Sequence, residues 1–454
     1  MDGLTTQIAD FAHRLTFDDI PADIVRAAKL RILDTVGCAV GGRDCEAAVI
    51  ARRLVQGAAP SHYAGRVLGF ATRTTAESAA FANTTMIRFL DFNDAHHAGH
   101  PSDMLGALLA LAETVGADGR HLLTSLVVGY EVTLRIITAT QLREKGWDQG
   151  VANGIGAAAV LGHLLRLPKE RIGHAVSITT VANVPMRASR AGQLSHWKGA
   201  ATAFAGRNAT FATLLAAEGM TSPDRPFEGR HGLWEQITGP FDVAPLPDRG
   251  GAYLMPNSKL KYWPVEGNAQ AAVWAALELR EAMAAEDIAD IDIATYWHAW
   301  HEIASEPEKW DPKTRETADH SMPYVFARAL VDGTISPASF LPASYLDPSL
   351  RPLMAKIRVH EDEEIERIYR SGYPYTYVMR VNATARDGRK KFIEIVNPRG
   401  VPQTPMSETD IQAKFLRQSE PVLGVGKASA AGEAWFGIDT AKDLSQAMGS
   451  LEVE

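Results

Sequence analysis

Residues 91–103, DFNDAHHAGHPSD, set three aspartates and three histidines into thirteen positions, directly before the apolar run Met104–Leu111. Carboxylates and imidazoles can both move protons near neutral pH, and a helix start favours bound anions. Phe89, Leu90 and Phe92 make the surroundings of Asp91 and Asp94 apolar, and partial burial shifts proton affinities as acid–base work requires. The segment reads as an active site. A metal centre fits it less well. His96 and His100 would share a helical face, but His97 would not, and Pro101 disfavours helix at His100. No HExxH or CxxC spacing accompanies them, so no metal is expected.

Three further groups could do chemistry with this one. Segment 187–207 carries Arg187, Arg190, His196, Lys198 and Arg207 and no acid. In an acidic chain that is a local positive field suited to carboxylates, or else a basic solvated face. Lys261 sits in LKYWPVE among Leu260, Tyr262 and Trp263, where desolvation would make an amine tunable and snorkelling over tryptophan is the plain alternative. Asp319 and His320, in ETADHSMP, face a cleft or cap the helix that follows. His298, His301 and Glu302 have the wrong order for a zinc helix and read as structural or solvated. Gly154-Ile155-Gly156 lacks a third glycine and a preceding strand, so close helix packing explains it better than phosphate binding.

The elements that must hold these groups fall into two classes. Up to about Gly239 the pattern is helical. One helix opens at Asp18-Asp19-Ile20-Pro21 and closes at Gly41-Gly42, and others span 74–90, 101–116, 119–138, 154–165, 169–180 and 198–218. No alternating strand interrupts them. Residues 223–264 form an irregular connection broken by prolines and by Arg249-Gly250-Gly251. After a helix over 268–283 the period drops to two, with strands expected around 290–297, 353–359, 377–383 and 392–396, the last two joined by the hairpin signal Asp387-Gly388. A capping-box-like start at Ser407–Asp410 returns the chain to helix. The expected fold is mainly α with a smaller α+β domain: residues 1–265 and 400–454 form a large all-helical domain, and residues 266–399 an α+β lid.

A chain of 454 residues exceeds one ordinary core. Its net charge of -8 argues against nucleic-acid binding. The two cysteines, Cys38 and Cys45, suit a reduced, cytoplasmic setting and no disulfide framework. Glu131 and Arg135 interrupt the longest apolar stretch, 122–140, so no membrane partner is expected.

These segments, in this order, resemble the MmgE/PrpD family, whose members include 2-methylcitrate dehydratase and cis-aconitate decarboxylase. The resemblance is carried by residues 20–42, 90–103, 194–229, 260–277, 316–333 and 398–406 and covers nearly the whole chain. It implies a cofactor-free site between the two domains, a small-molecule di- or tricarboxylate as substrate, and a homodimer. Carried over by position, it implies Asp91, His100 and Lys261 as catalytic residues. Asp94, Gln149, Arg187, Lys198 and Arg207 are the candidates for binding substrate. Departures from decarboxylase-like members are Ala95 in place of a threonine, Gln149 in place of a nearby histidine, and Arg207 in place of a lysine. Dehydration of 2-methylcitrate or a similar hydroxy acid is therefore expected, with epimerase, decarboxylase and non-catalytic binding readings left open.

Overall fold

The computed structural model describes residues 1–55, 62–97, 99–248 and 251–453. Its hydrophobic residues collect into two main clusters. The first joins Leu4 through Leu260 to the C-terminal residues Met406 through Leu451, and the second runs from Val265 to Val401. The chain is mainly helical with a smaller mixed α/β part, as its periodicity predicts.

In the first cluster the helix Ala76–Phe89 is central, packed by Ala22–Gly41, Leu105–Ala112 and Trp197–Ala217. Helices Gly119–Ala139 and Gly150–Leu164 cross closely. A Cβ on Gly156 would lie 1.9 Å from Thr133 Oγ1 and one on Gly129 2.0 Å from Val160. Gly154 faces a different neighbour, its added Cβ falling 2.6 Å from Asn183 Nδ2, so both glycines at 154–156 serve close packing. The helix Gly119–Ala139 is long and apolar enough to cross a membrane, and 89% of its apolar window is buried in this core. At the C-terminus, Ser407 caps the helix Glu408–Leu423 through a reciprocal bond pair with Asp410, and that helix packs back on Ala22–Gly41.

The helical series is not unbroken. Ala64–Arg66 (β1) and Arg73–Thr75 (β2) form a short antiparallel hairpin, so the helix read as starting at 74 starts at Ala76. Strands of three residues are too short to show alternation. The irregular connection is present over 223–248 and 251–264, with residues 249 and 250 of its Arg-Gly-Gly signal outside the described set.

The second cluster is built on a four-stranded sheet in the order β4-β3-β5-β6: Ile288–Thr295 (β3), Ile357–Glu361 (β4), Val378–Ala385 (β5) and Lys390–Val396 (β6). β3 pairs parallel with β4 and antiparallel with β5. Gly388, at φ +89°, makes the predicted hairpin turn. Helices Gln270–Ala282 and Met322–Asp332 cover the sheet. The strand expected from 353 begins only at Ile357, because Arg351–Met354 is a helical turn that buries Leu353 and Met354.

Candidate active site

The loop 91–100 assembles the site. Helix Ala76–Phe89 stops at Leu90, and Asp91 turns the chain with φ +46°, a left-handed conformation that aspartate tolerates better than most residues. The turn folds its carboxylate back under the helix, where Arg88 Nη1 donates to Oδ1 at 2.8 Å. Ala95 and Lys259 then exchange two backbone hydrogen bonds, of 2.9 and 2.8 Å. That pairing brings Lys261 against Asp91. Lys261 Nζ donates to Asp91 Oδ2 at 3.0 Å and to the Asp91 carbonyl at 2.7 Å. All three residues are buried.

His100 approaches the same carboxylate. Its Nδ1 donates to the Asp94 carbonyl at 2.6 Å, which leaves Nε2 as the basic nitrogen, 3.8 Å from Asp91 Oδ1. Asn153 Nδ2 steadies the backbone by donating to the His100 carbonyl at 2.8 Å. Burial, then the Arg88 and Lys261 cations, pushes the imidazole well below its ordinary value and keeps it neutral. Burial also lowers the Lys261 ammonium, against the pull of Asp91. For Asp91 burial acts upward, yet Lys261, Lys198 and Arg88 together hold it well below the usual carboxylate range.

A second acid–base group packs close to Asp91. Lys198 Nζ donates to Asp319 Oδ1 at 2.9 Å and lies 3.2 Å from His320 Nδ1, which is itself 2.6 Å from Asp319 Oδ1. Arg315 Nη1 donates to Asp319 Oδ2 at 2.9 Å. Despite burial, Lys198 and His320 keep the Asp319 carboxyl down at about 2. Lys198 belongs to the large helical part, while Asp319 and His320 belong to the smaller one. Ligand atoms of Asp91, Asp319 and His320 lie within 4.8 Å of one another, as do those of His97, Glu144 and His298. Both sets have the donor types of a metal site, but the first is interleaved with Lys198 and Lys261 and the second stands beside Arg143.

The remaining candidates separate. Asp94 is spent on the protein: Oδ1 accepts from Ser102 N and Oγ at 3.1 and 2.5 Å, and Oδ2 accepts from Tyr130 at 2.8 Å. Its place is to hold the His100–Ser102 segment. Gln149 is buried at the head of helix Gly150–Leu164, one turn before Asn153, with Nε2 unpartnered among the described residues. Arg187 pairs with Glu302 at 2.5 Å. Arg207 is set apart. Nine residues after Lys198 on one helix, it points to the opposite face, where its guanidinium lies over Phe204 and 3.4 Å from Asn208.

Several contributors escaped the sequence reading. Arg88, fully buried, is shared between Asp91 and Asp103, the latter 3.4 Å from its Nε. An arginine inside an apolar helix was the available signal. Lys414 donates to the carbonyls of Phe92 and Lys261 at 2.8 and 2.9 Å and pairs with Asp34 at 2.6 Å, so the helix Glu408–Leu423 braces both halves of the Asp91–Lys261 pair. Arg143 and His298, the latter read as structural or solvated, lie beside Glu302, where burial and Arg143 hold His298 neutral.

Comparison with known proteins adds to this geometry. The MmgE/PrpD N-terminal domain matches residues 6–246 and the MmgE/PrpD C-terminal domain residues 263–434. The chain is 30% identical to a 2-methylcitrate dehydratase of Cupriavidus necator, over 79% of this chain and 77% of that protein. It is 26% identical to the mitochondrial 2-methylcitrate dehydratase of Yarrowia lipolytica, over 95% and 87%. With a cis-aconitate decarboxylase-like protein of Aspergillus oryzae it shares 24% identity over 99% and 98%.

Proposed function

The chain belongs to the MmgE/PrpD family, and on that premise we propose that it is a hydro-lyase acting on a small hydroxy di- or tricarboxylate of the 2-methylcitrate type. The observation that carries this reading is the Asp91 carboxylate clamped between Arg88 and Lys261, 3.8 Å from the free nitrogen of a neutral histidine.

Eliminating water from such an acid takes a base for a weakly acidic proton α to a carboxylate and an acid for the departing hydroxyl. It also takes cations for the charge that builds on the enolised carboxylate. His100 is the base: its Nδ1–H is committed to the Asp94 carbonyl, so Nε2 takes the proton. Asp91 sits where it stabilises the imidazolium that results. The low basicity of His100 comes from burial and from Arg88 and Lys261. A carboxylate bound against those cations would offset their field and raise the basicity when substrate is in place. Lys261 stabilises the enolate, and the Lys198–His320–Asp319 group delivers the proton to the leaving hydroxyl. Asp94 is a positioning residue, and Arg207 has no part in this mechanism.

Proton NMR in deuterium oxide, with 2-methylcitrate stereoisomers, citrate and cis-aconitate, tests the reading. New olefinic signals that vanish in His100→Ala are expected. Deuterium incorporation without an olefin would replace dehydration by epimerisation, and carbon dioxide release from cis-aconitate would replace it by decarboxylation. Near-wild-type turnover in both His100→Ala and Lys261→Ala would sink the residue assignment.

A further inference from the structure

Around the His97–His298 ring pair several buried nitrogens have no hydrogen-bond partner among the described residues: Nε and Nη1 of Arg143, Nη2 of Arg190, Nε2 of Gln149 and a ring nitrogen, Nε2, of His298. Leaving one such group unpaired is costly, and a cluster of them is not what packing alone selects. They lie on neighbouring pieces of chain. Arg190 donates to Asp148, next to Gln149, at 2.7 Å. Gln149 lies beside Gly99, in the loop that carries His100. The rings of His97 and His298 are 5.2 Å apart. One helical turn beyond His298, Glu302 accepts from Arg187 at 2.5 Å and stands 3.6 Å from Arg143 Nη1. Asp148 is thereby used in orienting Arg190, and Glu302 is ion-paired with both Arg187 and Arg143 but makes no hydrogen bond to Arg143, whose Nε and Nη1 keep their donor capacity. Glu144 is exposed on the rim.

We propose that Arg143, Arg190, Gln149 and His298 form a second anion pocket, which takes a carboxylate of the substrate remote from the one held beside Lys261. The pocket rests on the reading of the site as one for polycarboxylates, and it assigns that substrate a non-reacting terminal carboxylate. Guanidinium groups suit this task because their planar forks bind carboxylates through paired, charge-assisted bonds. The neutral state of His298, set by burial and by Arg143, lets a single N–H donate to the incoming anion without another buried charge. Because His298 comes from the smaller part of the fold and Gln149 from the larger, the remote carboxylate bridges the two.

Calorimetric titration of the whole 454-residue chain with two non-reactive acids tests the pocket. Propane-1,2,3-tricarboxylate carries the remote carboxylate, and 2-methylsuccinate is the same skeleton without it. Wild type is expected to prefer the triacid by about 30-fold or more, the worth of a charge-assisted pair. Arg143→Gln should erase that preference while binding 2-methylsuccinate as wild type does, and Arg143→Lys should keep part of it. An unchanged preference in Arg143→Gln overturns the proposal. So does equal loss for both acids, or failure of wild type to bind either. Zinc binding that needs His97 and His298 and excludes the triacid also overturns it, in favour of a metal site. The outcomes separate the pocket from the hydro-lyase reading. Arg143-dependent preference without dehydration of any hydroxy acid keeps the pocket and removes the reaction. Dehydration with an Arg143-independent preference does the reverse.

Discussion

Asp91 shows how much chemistry one strained residue can gather. Its positive φ is the cost of ending a helix and immediately turning a carboxylate back beneath it, and the return is a buried anion shared by Arg88, Lys261 and His100. The consequence is testable at single atoms. His100→Asn can still donate to the Asp94 carbonyl but offers no basic nitrogen, so turnover should fall by ~10²–10⁴-fold with KM little changed. A KM effect alone would make His100 a binding residue. His96, four positions earlier, has a different task. It is buried, with Nδ1 donating to the Asn257 carbonyl at 3.2 Å and Nε2 3.3 Å from the Tyr373 hydroxyl, and burial lowers it from 6.5 to about 4. Because the unfolded value is the higher one, unfolding takes up a proton between those pH values. The stabilisation is complete above pH 6.5 and is lost as pH falls toward 4. From pH 7 to pH 5 this group should cost about 2 kcal/mol of unfolding free energy. Urea titrations should show the decline and show it flattened in His96→Gln; parallel pH profiles for the two proteins would refute it.

At the scale of elements, the site depends on registers between segments that are far apart in sequence. The Ala95–Lys259 pairing aligns Lys261 with Asp91, and Lys414 in the Glu408–Leu423 helix locks both by donating to carbonyls on either side. Lys414→Met would remove that bracket and strand Asp34, whose carboxyl is already raised by burial. Breaking a buried pair from one side costs about 3–5 kcal/mol. Chemical denaturation should register that loss, and Asp34→Asn combined with Lys414→Met should recover part of it. If the single variant is as stable as wild type, the bracket is dispensable. The helix Trp197–Ala217 makes a second point about elements. Lys198 and Arg207 look equivalent in a list of basic residues, yet half-turn geometry sends one to Asp319 and the other to Phe204. Arg207→Ala should leave turnover unchanged, whereas Lys198→Met should reduce it at least 100-fold, the low end of a proton carrier's contribution.

For the whole molecule, the decisive feature is that the acid–base groups are divided between the two hydrophobic clusters. Asp91, His100 and Lys198 come with the larger one, and Asp319, His320 and His298 with the smaller. A ligand spanning them should stabilise both together. At a hundred times its Kd, propane-1,2,3-tricarboxylate should add about 2.7 kcal/mol. Calorimetric scans should show the whole unfolding transition moving upward; a shift confined to one part of it would place the ligand in that part alone.

What the sequence determined by itself was whatever depends on neighbours along the chain. Helix and strand periodicity is a burial pattern of nearby residues, so the mainly helical fold with a smaller sheet, the Asp387-Gly388 turn and the cap at Ser407 were all legible. So was the density of acid and imidazole in 91–103, a local property. The two-residue period failed at Leu353 because a helical turn buries Leu353 and Met354 as well as a strand would, and β1 and β2 were too short to carry any period. Only the tertiary structure decided which of these groups meet. It spent Asp94 on Ser102 and Tyr130, joined Lys198 to a partner 121 positions away, and buried Arg88 under Asp91. The reason is physical: a charge acts over a few ångströms of space whatever its distance along the chain, and a sequence records only the latter.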